Sequence, residues 1–201
     1  MKEKLGKSYD WVIKYFMFFI CVAMVGWIYE VLVIMFENHH GFQNRGVLYG
    51  PYLPVYGFGM LILMVTVNPV RNMKLEKITS ISPVLAFIIK FILAFVSAFI
   101  VTSLVELIAS YMISPTSWGY VENGKRNSPW YYSASEGYEV NFQGRIALKS
   151  SLRFGIGSMF LLYLLQPAIQ KFSTKKKVFK IVGSLLLVVF VADCIITFGL
   201  Y

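Results

Sequence analysis

Cysteine is nearly missing from this chain: Cys21 and Cys194 are the two among 201 residues. Both sit inside apolar runs, so neither a disulfide framework nor a CxxC metal site can be built from them. Charge is scarce too, at 14% of residues, and its acids are outnumbered by bases, leaving a formal net charge of +9. The two histidines, His39 and His40, are adjacent on a loop beside Glu37. They lack the spacing of a helical metal pair and read as solvent-exposed. No P-loop, dinucleotide fingerprint or nucleophile–base pair occurs, so the chain is expected not to be an enzyme and to carry no cofactor or metal.

What the chain has in excess is apolar surface, 57% hydrophobic and 17% aromatic residues. These do not alternate with polar residues at helical spacing; they run on around all faces for about twenty residues, as a lipid-facing helix requires. The expected fold class is therefore all-α, a polytopic transmembrane helix bundle forming a single transmembrane domain over 1–201. About five spans can be drawn, at 11–36, 52–67, 84–113, 146–165 and 178–201, with a long loop at about 114–145. The N-terminus begins like a signal peptide, but its apolar run is too long and has no A-x-A site, so it reads as a retained first span. Ser82-Pro83 marks a helix start, while Asn68-Pro69, Ser114-Pro115 and Gln166-Pro167 read as stops.

Cations set the expected orientation, because short cytoplasmic loops retain Lys and Arg. Lys2, Lys4, Lys7 and Lys14, then Arg71, Lys74 and Lys77, then Lys171, Lys175, Lys176, Lys177 and Lys180 fall on one side. They outnumber Arg45, Lys125, Arg126, Arg145, Lys149 and Arg153 on the other. The N-terminus is thus expected inside and the C-terminus outside, with Lys90 snorkelling at the inner end of the third span. The lysines of KFSTKKKVFK flank a span, so topology and anionic lipid explain them and nucleic acid is not an expected partner; the lipid bilayer is.

One stretch breaks the pattern. NRGVLYGPYLPVYGFG, residues 44–59, is rich in Gly, Pro and Tyr, yet the apolar segment it enters has only sixteen residues before Asn68-Pro69. That covers roughly 24 Å of a core about 30 Å thick. Tyr49-Gly50-Pro51-Tyr52 should therefore lie at membrane depth, where irregular backbone is tolerated only if buried in protein or facing a wet cavity. Gly50 and Gly57 allow close approach, Pro51 and Pro54 fix φ near a helix start, and Tyr49, Tyr52 and Tyr56 bring hydroxyls that need partners. A short helix with a tight external turn in a thinned bilayer explains the same residues without function.

Three acids, Glu30, Glu106 and Asp193, fall inside spans, each about 9 to 12 Å below the outer end of its own helix. Intramembrane carboxylates are expensive and need partners or a purpose. Small or polar residues share their faces: Gly26 with Glu30, Thr102 and Ser110 with Glu106, Thr197 with Asp193. Arg45, Arg145 and Arg153 could reach them from outside. The expectation is one outward-facing polar pocket holding acids, arginines and the Tyr-Gly-Pro segment. It serves either as buried ion pairs that hold the helices together or as a path for a small polar or charged solute.

At NRGVLYGPYLPVYGFG the sequence resembles the small bacterial membrane proteins described as ABC-transporter permeases (type IV, CmpB-like), whose hallmark is an NRG-x-LYGP-x-x-P-x-YG-x-G run. GWIYE, LVELIASYMIS, NFQGRIALKSSLRFG and the aspartate of VADCIITFG follow in the family's order. The resemblance implies roles in the substrate-binding region for Glu30, Asn44, Arg45, Tyr49, Gly50, Pro51, Tyr56, Gly57, Glu106, Asn141, Arg145 and Asp193, with Gly46, Pro54 and Gly144 in the same motifs. Two departures are Ala147, where the family usually has cysteine, and a longer Ser- and Tyr-rich stretch after Trp118-Gly119-Tyr120. The resemblance further implies a multi-pass protein of the bacterial plasma membrane, acting as a permease or solute-binding membrane subunit. With no ATPase motif in the chain, ATP-driven transport needs a separate ATPase subunit, and five spans around one pocket argue for a homo-oligomer. A receptor or regulator acting through the aromatic loop is the other reading, since Trp118, Trp130, Tyr131 and Tyr132 could bind a partner or the lipid interface.

Overall fold

The computed structural model describes residues 2–36, 41–122, 125–126, 128 and 130–199. Apolar runs with no polar face can satisfy their backbone in lipid only as helices. Four continuous helices reach membrane-crossing length: Gly6–Phe36 within α1 (Lys2–Phe36), α5 (Pro83–Ile113), Leu148–Ser173, and α8 (Lys176–Gly199). A shorter apolar helix, α2 (Pro54–Thr66), follows α1, and the short helices α3 (Asn68–Arg71) and α4 (Glu76–Ile81) lead into α5. The segment after α5 holds two small antiparallel ladders, β1 (Val121–Glu122) with β2 (Lys125–Arg126) and β3 (Asn141–Phe142) with β4 (Ile146–Ala147). A 3₁₀ turn at Ala134–Glu136 lies between them. This is an all-α membrane protein with a folded loop. The histidine pair and Glu37 lie outside the described residues.

Several expected boundaries follow from their caps. Ser82 accepts the Leu85 N–H through its side chain at 3.2 Å with Pro83 at the first helical position, and α5 ends against Ser114. The fourth span needs correcting. Its helix starts at Leu148, because Ile146-Ala147 are extended in β4, and it continues through Gln166-Pro167 to Ser173. It runs on as α6 (Leu148–Phe160), one wide turn at Leu161–Leu165, and α7 (Gln166–Ser173). Proline stops an α-helix by lacking an N–H and crowding the carbonyl four residues back. The wide π turn just before Pro167 re-registers those carbonyls and makes room. In the i→i+5 pairing Leu162 O would look to residue 167, which has no N–H; the Arg71 guanidinium donates to it instead.

Contacts group the chain into two compact units, Met1–Ile62 with Tyr163–Tyr201, and Leu63–Leu162. In the first, α1 packs on α7 and α8. Gly183 is what lets α8 approach: a Cβ there would lie 2.6 Å from Ile13 Cγ2. Phe16, Phe19, Tyr52 and Phe190 form a connected aromatic core. In the second unit α5 packs along α6, with fully buried Ala94 and Ala98 on one side and buried Ser151, Gly155 and Ser158 on the other. Small residues let backbones close where lipid supplies no hydrophobic drive.

Candidate functional site

Residues 41–53 make no helix, and Leu53 N–H donates to Ala23 O at 2.9 Å. Ala23 lies roughly 20 Å along α1 from its Phe36 end, so the irregular segment descends beside the middle of a membrane-crossing helix. Glycine makes that approach possible at two points. Gly46 holds φ +90° with its α-carbon against Leu53, and a Cβ at Gly57 would meet the Phe19 carbonyl oxygen at 2.7 Å. Gly50-Pro51-Tyr52 closes a tight turn through Tyr52 N–H to Gly50 O at 2.9 Å.

The main-chain donors of this turn have a specific acceptor. Asp193, 8% exposed, accepts from Tyr49 N at 3.1 Å and Thr197 Oγ1 at 3.1 Å through one oxygen, and from Gly50 N at 2.7 Å and the Tyr52 hydroxyl through the other. Two bonds at each oxygen leave the carboxylate saturated. Glu30 is held differently: it accepts the Tyr56 hydroxyl at 2.5 Å and faces Arg45 at 3.7 Å, with about a third of each side chain exposed, 32% for Arg45 and 27% for Glu30. Arg45 Nε is buried without a hydrogen-bond partner. Asn44 accepts from Trp27 Nε1 at 2.7 Å and donates to Tyr49 O at 3.3 Å, tying the motif to α1.

The second unit has its own cluster. Asn141 accepts the Gly144 N–H at 2.9 Å and donates to Tyr138 O at 2.7 Å, clamping a turn closed by Arg145 N–H to Phe142 O at 2.9 Å. Gln143 and Gly144 both have positive φ, 54° and 66°, as a type I′ turn requires. Glycine is needed here for space as well, since a Cβ at Gly144 would lie 2.3 Å from the Tyr131 ring. The turn delivers Arg145, 2% exposed, into an aromatic cage with its guanidinium carbon 4.0 Å from the Tyr111 ring centroid and 5.0 Å from that of Trp118. Its nitrogens reach Pro115 O at 3.3 Å and Ser110 Oγ at 3.4 Å. No carboxylate of the described side chains lies within ion-pair reach, so the expectation that Arg145 neutralises an acid gives way to π-face and carbonyl contacts.

Glu106 accepts from the Tyr132 hydroxyl at 2.5 Å and from Ser150 Oγ at 3.5 Å. Burial and the Glu106 carboxylate push the Tyr132 phenol far above its ordinary value, so it stays a donor. Thr102, read as a neighbour of Glu106, instead bonds back to Ala98 O at 2.9 Å. Trp118 and Trp130 donate to the carbonyls of Gly144 and Arg145 at 3.1 and 2.8 Å. Much of the loop's aromatic surface is thus turned inward.

The structure therefore places Glu30, Asn44, Arg45, Tyr49, Gly50, Tyr56, Gly57 and Asp193 in the first unit and Glu106, Asn141 and Arg145 in the second. Pro51 is the central residue of the first unit's tight turn. Sequence reasoning missed the partners: each of the three intramembrane acids receives a tyrosine hydroxyl, from Tyr52, Tyr56 or Tyr132. The available signal was that a buried tyrosine needs an acceptor.

Searches of curated proteins and of solved structures gave no match. One family model matches residues 17–198, nearly the whole chain and all of the motifs above, and its description is "Putative ABC-transporter type IV". The chain is a membrane protein that belongs to this ABC-transporter type IV family.

Proposed function

We propose that this chain is the membrane-embedded subunit of a transporter, in which Glu30 and Arg45, with Asn44 and Tyr56 around them, receive a small polar or charged solute. The observation that carries this reading is the looseness of the Glu30–Arg45 pair. At 3.7 Å it is longer than a direct charge-assisted hydrogen bond, it is partly exposed, and Arg45 Nε has no partner. Asp193, by contrast, has no capacity left. A pair that is incompletely satisfied can exchange its partner for a solute at small cost; a saturated one cannot.

Energy would come from a separate ATPase docking from the cytoplasm, with the N-terminus inside, the C-terminus outside and a second copy of the chain completing the path in a bacterial plasma membrane. Family membership supports the membrane location and the ATPase partner. A receptor acting through the 114–145 loop has less support, because Trp118, Trp130, Tyr131 and Tyr132 are half-buried. The test has two parts. Tagged protein extracted from native membranes should bring a P-loop ATPase with it; purification alone would remove the ATP-driven reading. Cells with and without the protein should differ in accumulated metabolites by mass spectrometry, and Glu30→Gln and Arg45→Gln should each abolish the difference at normal expression. A difference that survives both substitutions would remove the solute site.

A further inference from the structure

Away from the polar clusters, a cavity of about 460 Å³ opens between α3, α4 and the Pro83 end of α5. Lys74 and Lys90 line it together with Asn72, Glu76, Ser80 and Met73. The depth of Lys90 is informative. With 31 residues α5 is roughly 46 Å long against a hydrocarbon core of about 30 Å, so about 8 Å projects at each end. Lys90 lies about 10 Å from the Pro83 end, just inside that boundary, from which its long side chain reaches out to the level of glycerol and phosphate. A half-buried lysine there is stabilised by an anion.

No carboxylate of the described side chains pairs with Lys74 or Lys90; Glu30 pairs with Arg45 and Asp10 with Lys180 instead. Glu76 lines the same cavity without bonding either lysine. Two cations and one carboxylate leave a single positive charge, which one phosphodiester neutralises. Asn72 adds an amide donor, and Met73 gives the apolar edge that a glycerol backbone would meet. The volume suits a headgroup rather than a whole lipid.

We propose that this cavity is a binding site for a phosphate-bearing headgroup, held by Lys74 and Lys90 at the membrane interface. Basic pockets beside spans take anionic headgroups for the same electrostatic reason that polybasic segments bind anionic leaflets. The site is independent of the Glu30–Arg45 pair. It also gives Lys90 a role that snorkelling alone does not, because Lys90 lines the same open groove as Lys74.

Native mass spectrometry on protein in neutral detergent, with added phosphatidylglycerol, tests it. The wild type should retain the lipid, and the Lys74→Gln/Lys90→Gln double variant should lose roughly tenfold in bound fraction, since each interfacial cation contributes to the attraction. Glu76→Gln should raise retention. Thermal melting with glycerol phosphate in place of lipid separates the sources: a rise confined to the wild type means that a soluble phosphate occupies the site. Equal lipid retention by wild type and double variant, with no effect of glycerol phosphate, would overturn the proposal. Should the double variant elute as an aggregate, Lys74→Gln alone, on an exposed side chain, reads the same loss at smaller size, and unchanged retention there overturns it equally.

Discussion

An aspartate that accepts four hydrogen bonds has spent its lone pairs, and this decides what Asp193 does. It solves the problem posed by irregular backbone at membrane depth: the amides of Tyr49 and Gly50 find in a carboxylate what water would otherwise provide. Glu30 has the same chemistry and half the commitment. The two therefore separate under conservative substitution. Asp193→Asn keeps the size but turns an amide NH₂ toward donors, which should cost on the order of 3 kcal/mol and lower the melting temperature in detergent by about 10 °C. Glu30→Gln retains an acceptor for Tyr56 and loses only a partly exposed ion pair, about 1 kcal/mol at most. Equal shifts for the two variants would show that the acids are not divided into anchor and site. The acids themselves were legible in the sequence, because charges stand out in apolar runs. Their tyrosine partners were not: Tyr52 is 141 residues from Asp193 and Tyr132 is 26 from Glu106, distances that only the folded chain closes.

The same division between local and remote causes governs the elements. Ser82-Pro83 and Ser114 set the ends of α5 by chemistry within one turn, and those ends could be read directly. Gln166-Pro167 could not, because the helix survives its proline through a wide turn whose freed carbonyl, Leu162 O, takes its donor from Arg71. Nothing near residue 167 announces that donor. The dependence can be measured. Arg71→Met should leave Leu162 O without this bond and destabilise by about 1–3 kcal/mol. Pro167→Ala restores an N–H at residue 167, so the double variant should recover part of the loss. Strictly additive melting shifts would mean that Arg71 and the π turn are unconnected. The folded state of the 114–145 loop was likewise hidden, since the turn at Gln143-Gly144 is local but the Tyr131 ring that requires Gly144 to be glycine comes from a dozen residues away.

For the whole molecule the open quantity is parity, and it turns on α2. Thirteen residues give roughly 20 Å, too little to cross a 30 Å core as helix alone. The irregular residues before Pro54 can make up the difference, because Asp193, Ala23 and Asn44 bond their backbone groups or anchor them. If α2 crosses in this way, Val47 and Asn72 face opposite sides, and the Lys/Arg-rich segments at 2–14, 71–77 and 171–180 share the cytoplasm, as the charge rule requires. If it turns back instead, Arg71, Lys74 and Lys77 move outside and the charge bias is undone. Replacing Cys21 and Cys194 with alanine and placing single cysteines at the exposed positions Val47, Asn72, Tyr120 and Gln170 distinguishes the two. A membrane-impermeant thiol reagent on intact cells should label Val47→Cys and Tyr120→Cys, and should reach Asn72→Cys and Gln170→Cys only after permeabilisation. Labelling of Val47→Cys and Asn72→Cys from the same side would make α2 a re-entrant segment, reverse every later crossing, and take the lysine-lined cavity away from the cytoplasmic leaflet.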